Sequence, residues 1–415
     1  MQNAETILNI VRERGTQGLP LERVYRMLYN PELYLRAYAR LYANEGAMTP
    51  GITSETVDGM ATRKIERIIN DLRYERYRWT PVRRIEIPKK NRKLRPLGLP
   101  TWSDKLLQEA IRSILEAYYE PRFSNHSHGF RAGRGCHTAL CEIRENWIGT
   151  KWFIEGDIRG CFDNINHQRL LEILSEHIRD NRFLELIRHL LQAGYLERWC
   201  YGATLSGAPQ GGVLSPLLSN IYLDKLDQFV EQELLPTYNQ GRRRRKNQYY
   251  SALMLKARRC RDRGRIEEAQ AVRRQARELP SQDTYDPIYR RIHYCRYADD
   301  FLLGFAGPKN EAEEIKMRIR AYLIETLKLE LSQEKTLITH ATDQAARFLG
   351  YEIVSQHAND KLDYRKRRSI NGHIGLRLPL DVLQAHCAKY MRRSKPEQRP
   401  IMVADDDYTI LNQYQ

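Results

Sequence analysis

Two aspartates stand side by side at positions 299 and 300, inside RIHYCRYADDFLLGFAG. The residues on either side are strand formers, so Asp299 and Asp300 fall in a tight turn between two neighbouring strands. Adjacent carboxylates at a hairpin tip repel one another, and Asn-Gly would turn the chain at lower cost. A hard divalent cation, which takes oxygen ligands, relieves that repulsion. A second apolar strand pattern, KWFIEGDIRGCFDNI, ends on Asp157. If the two strands are neighbours in one sheet, Asp157 and Asp299 converge at the same edge. Such a set suits two metal ions about 4 Å apart, one activating an attacking oxygen and one steadying a leaving group. Asp163, six residues further on, precedes a helix start and is better placed to cap or brace that turn.

A third segment, SGAPQGGVLSPLLSN, has little side-chain bulk from Pro209 to Gly212 and leads straight into a helix. Small residues let backbone amides approach a ligand, and a helix N-terminus favours phosphate. The formal net charge of +16 points the same way, because each Lys or Arg that neutralises a phosphate releases a condensed counterion. Charge alone does not separate DNA from RNA. No run approaches the roughly 18 apolar residues of a membrane span, and Met1 to Arg14 has no apolar signal core. The seven cysteines form no CxxC pair, so neither a zinc site nor a disulfide frame is expected, and a reducing interior is.

The first eighty residues read as helices with polar connections. In NPELYLRAYARLYANEG, Asn30 is the expected N-cap, Pro31 the first helical residue and Gly46 the stop. PVRRIEIPKKNRKLRPLGLP reads as a hairpin with a cationic tip. The helix WSDKLLQEAIRSILEAYYE follows, with Ser103 as its expected cap. Pro216 falls in the first turns of a long apolar-faced helix, where proline is tolerated. Strands interrupted by helices without a regular βαβ repeat predict an α+β sheet domain. The segment from Tyr238 to Leu279 is helix-prone, strongly basic and poor in large apolar residues. It reads either as a solvated insertion or as an RNA-contacting arm, since four consecutive arginines repel one another unless phosphates lie nearby.

Taken in order, EGDIRGCFDNI, GAPQGGVLSPLLSNIYL, YADDF, LSQEKTLITH and RFLGYEI resemble the successive reverse-transcriptase motifs of group II intron-encoded proteins, the intron maturases. PVRRIEIPKKNRKLRPLGLPTWSDKLLQEAI and SHGFRAGRGCHTAL resemble the two fingers motifs of that family. LYANEGAMTPGITSETVDG resembles the extension these proteins share with non-LTR retrotransposon polymerases. The resemblance runs from about residue 20 to about residue 355. It implies a right-hand polymerase fold: an antiparallel palm sheet with helical and hairpin fingers. Residues 1–80 would be a helical extension of the fingers, 81–150 the fingers, and 151–355 the palm with a basic insertion at 238–290. Residues 356–415 would be the end of the palm and the start of a thumb whose remainder is missing, and no HNH-type endonuclease cluster is found.

The same resemblance implies roles residue by residue. Asp157, Asp299 and Asp300 would hold two Mg2+ ions, with the carbonyl of Ile158 as a further ligand. Phe162 would be a steric gate whose ring fills the space of a ribose 2′-hydroxyl, selecting deoxynucleotides. Lys89, Arg95 and Arg131 would grip the triphosphate, and Gln210 would support the incoming nucleotide and template. Lys335 would protonate the pyrophosphate leaving group, and FLGY at 348–351 resembles the primer grip. The implied activity is RNA-directed DNA polymerisation from dNTPs on an RNA template and DNA primer, with intron RNA bound to assist splicing and mobility. The implied setting is a cytoplasmic ribonucleoprotein, with no membrane partner and with room for a homodimer. Two other readings stand beside it: an RNA-binding splicing module with little or no polymerase activity, and a retron-like or phage-defence reverse transcriptase. The intact YADD favours the enzyme over the pure binder, which has no use for three convergent carboxylates that repel phosphate.

Overall fold

The computed structural model describes residues 3–88, 94–197, 200–204, 206–207, 211–283, 286–358, 361, 363–364, 368, 370–388, 391–392 and 395–396. Among them no helix is long and apolar enough to cross a membrane.

The N-terminal helices pack on the helix Trp102–Tyr119, which is buried along most of its length. The helix Pro31–Tyr42 starts where its sequence says it should, with the Asn30 side chain accepting from the Glu32 N–H at 2.9 Å. It turns Leu33, Tyr34, Ala37 and Leu41 inward. Trp102–Tyr119 is capped by Thr101 rather than by the expected Ser103. Thr101 Oγ1 accepts from the Asp104 N–H, whereas the Ser103 hydroxyl donates to Glu55 at 3.0 Å.

Four strands form the palm sheet, in the order Ile338–His340, Trp152–Asp157, Asp300–Ala306, Arg291–Tyr297, each antiparallel to its neighbour. Both faces of this sheet are covered. Ile154, Leu303, Phe301, Phe305 and Tyr294 pack into the larger core with Ser215–Phe229, while Phe153, Leu302 and Cys295 pack against Cys136–Asn146 and Trp147. Burial on both faces is why FLLGFA is a continuous apolar run and not an alternating one. Ala346–Phe348, Tyr351–Ser355 and Ile374–Arg377 form a separate three-stranded sheet, whose last strand lies in the segment expected to hold the end of the palm.

The fingers hairpin, Val82–Pro88 with Leu94–Leu99, gains two strands from further along the chain. Tyr195–Glu197 pairs in parallel with Val82–Pro88, and Cys200–Gly202 closes the edge. These two strands, from a stretch expected within the palm, therefore join the fingers sheet. The insertion is a pair of helices, Gln248–Asp262 and Ile266–Glu278, meeting through the small buried residues Ala257, Cys260, Ala269, Val272 and Ala276.

Among the described residues one ion pair is wholly buried. Arg296 and Asp227 meet at 2.6 Å with both side chains 0% exposed. Removing one partner of such a pair leaves an uncompensated buried charge and costs about 3–5 kcal/mol. Asp227→Asn is expected to lose stability on that order in urea denaturation, and an unchanged midpoint would show that the pair does not support the fold.

A second polar cluster lies where Cys136–Asn146 meets the loop before it. Glu142 bonds His126 Nδ1 and, at 2.8 Å, His128 Nε2. Burial pushes the Glu142 carboxyl upward, but the two imidazoles outweigh it and hold it at about 2. The bond to Glu142 raises His126 above its usual range, against burial. A raised histidine stabilises below its unfolded pKa of roughly 6.5 and loses that contribution as pH rises through its folded value. A lowered carboxylate stabilises above roughly 4.5 and loses its contribution only as pH falls towards about 2. Glu142→Gln should therefore lower the melting temperature more at pH 6 than at pH 9; an equal loss at both would remove the charged pairing.

Candidate active site

The sheet register brings the predicted aspartates together. Asp157, last in its strand, pairs directly with Asp300, first in the next, and Tyr297 pairs with Asp300 across the hairpin. Ala298 and Asp299 form the two-residue turn, with Ala298 in the left-handed region at φ 56°. Just past Asp157, the Ile158 N–H donates to the Asp299 carbonyl at 3.4 Å, and Ser332 N–H donates to the Asp157 carbonyl at 2.8 Å. The second contact draws the chain before Ile338–His340 to the same edge and delivers Lys335.

The carboxylates feel one another strongly. Burial, then Asp299 and Asp157, push Asp300 up to about 7. Burial and Asp157 also raise Asp299, while Arg95 and Lys335 oppose that rise. Lys335 Nζ bonds Asp157 Oδ1 at 2.8 Å, and that bond together with the other two aspartates raises the ammonium. Asp299 and Asp300, both held above the ordinary carboxylate range beside Asp157, with an ammonium drawn onto Asp157, make an environment suited to divalent cations. Asp157, Asp299 and Asp300 are the residues that would hold them.

Other predicted residues are placed less uniformly. Arg95 lies on Leu94–Leu99, within electrostatic reach of Asp299, so the fingers strand does face the carboxylates. Gly211, at φ 104°, belongs in this region because a Cβ there would meet the Gly98 carbonyl at 2.5 Å. Lys89 and Gln210 lie outside the described residues. Phe162 is half-buried and meets the ring of Phe130 edge-on, centroids 6.2 Å apart. Phe130 is exposed and left-handed at φ 56°, an unusual conformation for a bulky residue.

Arg131, expected to grip the triphosphate, has its guanidinium committed to protein partners in the fingers. Its guanidinium pairs with Glu120 at 2.9 Å, donates to the carbonyls of Ser124 and Ser127 at 2.6 and 2.7 Å, and is buried. Asp163 is exposed, and its carbonyl accepts from the Ser206 hydroxyl at 2.9 Å, in keeping with a bracing role.

Sequence reasoning missed two parts of the site. Phe130 carried a signal, since it is a large aromatic in an otherwise polar GFRAGR loop. Arg296 carried none, although its Nη1 donates to the Ala298 carbonyl at 2.8 Å and so holds the carboxylate turn from behind.

Comparisons with known proteins agree with this geometry. A family model described as reverse transcriptase (RNA-dependent DNA polymerase) matches residues 87–353. The group II intron-encoded protein LtrA of Lactococcus lactis subsp. cremoris is 44% identical over 367 residues, covering 86% of this chain and 61% of that one. The putative COX1/OXI3 intron 1 protein of Saccharomyces cerevisiae is 37% identical, covering 79% of this chain and 39% of that one. Protein YkfC of Escherichia coli is 32% identical, covering 82% and 85% respectively. The chain thus spans 61% of the LtrA length and 39% of the yeast protein's.

Gly156 tests the register. A Cβ there would meet the Phe301 ring at 2.1–2.6 Å, and Phe301 is the residue opposite it, next to Asp300. Gly156→Ala should cost about 1–3 kcal/mol through overpacking and shift Asp157 relative to Asp300. The expected result is a lower melting temperature together with loss of divalent-cation stabilisation; cation stabilisation kept at the original level would show that the pairing tolerates the ring's displacement.

Proposed function

The chain belongs to the reverse transcriptase (RNA-dependent DNA polymerase) family, among the group II intron-encoded proteins, and from that premise we propose that it extends a DNA primer along an RNA template from dNTPs, with two Mg2+ ions. The observation that carries this reading is Asp157 opposite Asp300 in the sheet register with Asp299 in the adjoining turn. When bound at these carboxylates, the magnesium ions would lower the charge barrier to attack on a phosphate and orient the attacking and leaving oxygens.

The chain's own residues supply the rest. Asp157, Asp299 and Asp300 sit at one sheet edge, so cations held there and the primer end share one position in the fold. Arg95 and Lys89 would neutralise the triphosphate where charge builds on its equatorial oxygens. Phe162, buttressed edge-on by Phe130, would occupy the space of a 2′-hydroxyl and exclude ribonucleotides. Gln210 would support the nucleotide and template. Lys335 is kept protonated by the carboxylates around it, and would deliver its proton to the pyrophosphate. The Ile158 carbonyl is offered as a further oxygen ligand.

The net charge of +16 and the basic helical insertion support binding of intron RNA, through which the chain would assist splicing and mobility as a cytoplasmic ribonucleoprotein.

Primer extension on an RNA template with Mg2+ and dNTPs tests this, comparing the chain with Asp299→Ala and measuring RNA binding of both. Extension by the chain, a loss of at least about 100-fold in the variant, and equal RNA binding are expected. No extension by either, with tight and salt-sensitive RNA binding by both, would make the chain an RNA-binding splicing module instead.

A further inference from the structure

The palm sheet has two ends, and the catalytic carboxylates occupy only one. At the other end, where Trp152–Asp157 begins and Asp300–Ala306 finishes, lies a cleft of about 1120 Å³. Five strand steps of roughly 3.3 Å separate Trp152 from Asp157, so this cleft lies about 17 Å from the carboxylates. The base of the basic insertion forms one wall, through Arg244, Tyr289 and Arg290, and the start of the helix Lys309–Glu325 forms another.

Three features of the cleft point to one ligand chemistry. It is cationic: among the described residues its lining includes Lys151, Arg244, Arg290, Lys309 and Arg368 but a single carboxylate, Asp286. Asp286 is already engaged by the Arg245 N–H at 2.7 Å, and Arg290 by Glu311 at 2.9 Å. The crowding of like charge is felt locally, because burial and then Arg244 and Arg290 lower the Lys151 ammonium. The cleft is also aromatic. Trp152 and Tyr289 line it; Arg244 lies 5.0 Å from the Tyr289 ring, and the Lys309 ammonium lies 5.9 Å from the Trp152 ring. Finally, its volume exceeds the roughly 300–1,000 Å³ of ordinary small-molecule pockets, which favours an extended ligand over a single nucleotide.

Alternating cations and ring faces are what single-stranded nucleic acid requires, phosphates on the former and bases on the latter. Double-stranded RNA keeps its bases stacked inside and is read by backbone and shape, so it has no use for the rings. We propose that this cleft is a second RNA site, holding a single-stranded segment of a structured RNA at the end of the palm opposite the catalytic carboxylates. The assignment rests on the reading of the chain as an RNA-handling protein.

The test uses the full chain with its catalytic groove filled by excess unlabelled template–primer duplex, and follows a short labelled oligouridine by fluorescence anisotropy across a salt series. Lys151→Gln with Lys309→Gln is compared with the unsubstituted chain, and thermal melting checks that the variant folds. Affinity at low salt should fall about tenfold, and the slope of log K against log salt should become shallower by about 1.4, two phosphates at about 0.7 each. Primer extension on an unstructured template should stay within about twofold. Unchanged affinity and slope would overturn the proposal. So would displacement of the oligouridine by UTP or inorganic phosphate at equal phosphate concentration, which would make the cleft a free-anion site. A parallel loss of extension would overturn it as well, placing the cleft on the template path. Failure of the unsubstituted chain to extend a primer would count against the polymerase reading and leave the binding comparison intact.

Discussion

The site depends on one buried guanidinium. Arg296 uses all five of its N–H donors: Nε and Nη2 to Asp227, Nη2 also to Ser127, and Nη1 to Asn220 and to the Ala298 carbonyl. A fully satisfied buried arginine is tolerated, whereas one that loses a partner is costly. Through these bonds the helix Ser215–Phe229, the loop at Ser127 and the end of Arg291–Tyr297 become one unit. Asn220 extends the unit by donating to the Gly129 carbonyl at 2.7 Å. The bond to Ala298 matters most for function, because a left-handed alanine costs roughly 1–2 kcal/mol and needs surrounding structure to hold it. The turn that carries Asp299 is thus kept in place by packing and hydrogen bonds that contain no catalytic group.

Around that fixed turn the charges are segregated. Negative charge is concentrated at one edge of the palm sheet, where burial and then the neighbouring carboxylates raise Asp300 to about 7 and Asp157 attracts Lys335. Positive charge is spread over the fingers hairpin, the insertion and the far end of the palm. A protein that must hold cations at one point and polyphosphate everywhere around it needs both signs, and it needs them apart. On the proposed reading, the overall excess of +16 serves the second task and the three aspartates the first.

Much of this was legible in the residues, and the parts that were not share a cause. YADD between apolar strands and Asp157 at a strand end marked the candidate carboxylates, and their convergence followed only if the two strands are neighbours, as they are. Asn30 and Pro31 marked a helix start by local chemistry alone. Local chemistry was also ambiguous at the next helix, where Thr101 and Ser103 are both good caps and Glu55, 48 residues away, takes the serine. The pairing of Tyr195–Glu197 with Val82–Pro88 was not legible, because the two strands are more than a hundred residues apart. Arg131 carried the right charge in the right motif, and only its burial against Glu120 shows that its donors are committed. Arg296 and Asp227 are 69 residues apart and leave no periodic trace. The described residues say nothing of Lys89 or Gln210, whose roles rest on the family motif.

The central claim is that three carboxylates at one sheet edge form a single divalent-cation site. Mn2+ bound to the full chain can be counted by electron paramagnetic resonance, in the presence of an RNA–DNA template–primer and dNTP, for the chain and for Asp157→Asn, Asp299→Asn and Asp300→Asn. The account predicts Mn2+ bound to the unsubstituted chain and weakened by each of the three substitutions, because the carboxylates act together. Mn2+ binding that survives all three unchanged would contradict it, and would place the cation elsewhere in the fold.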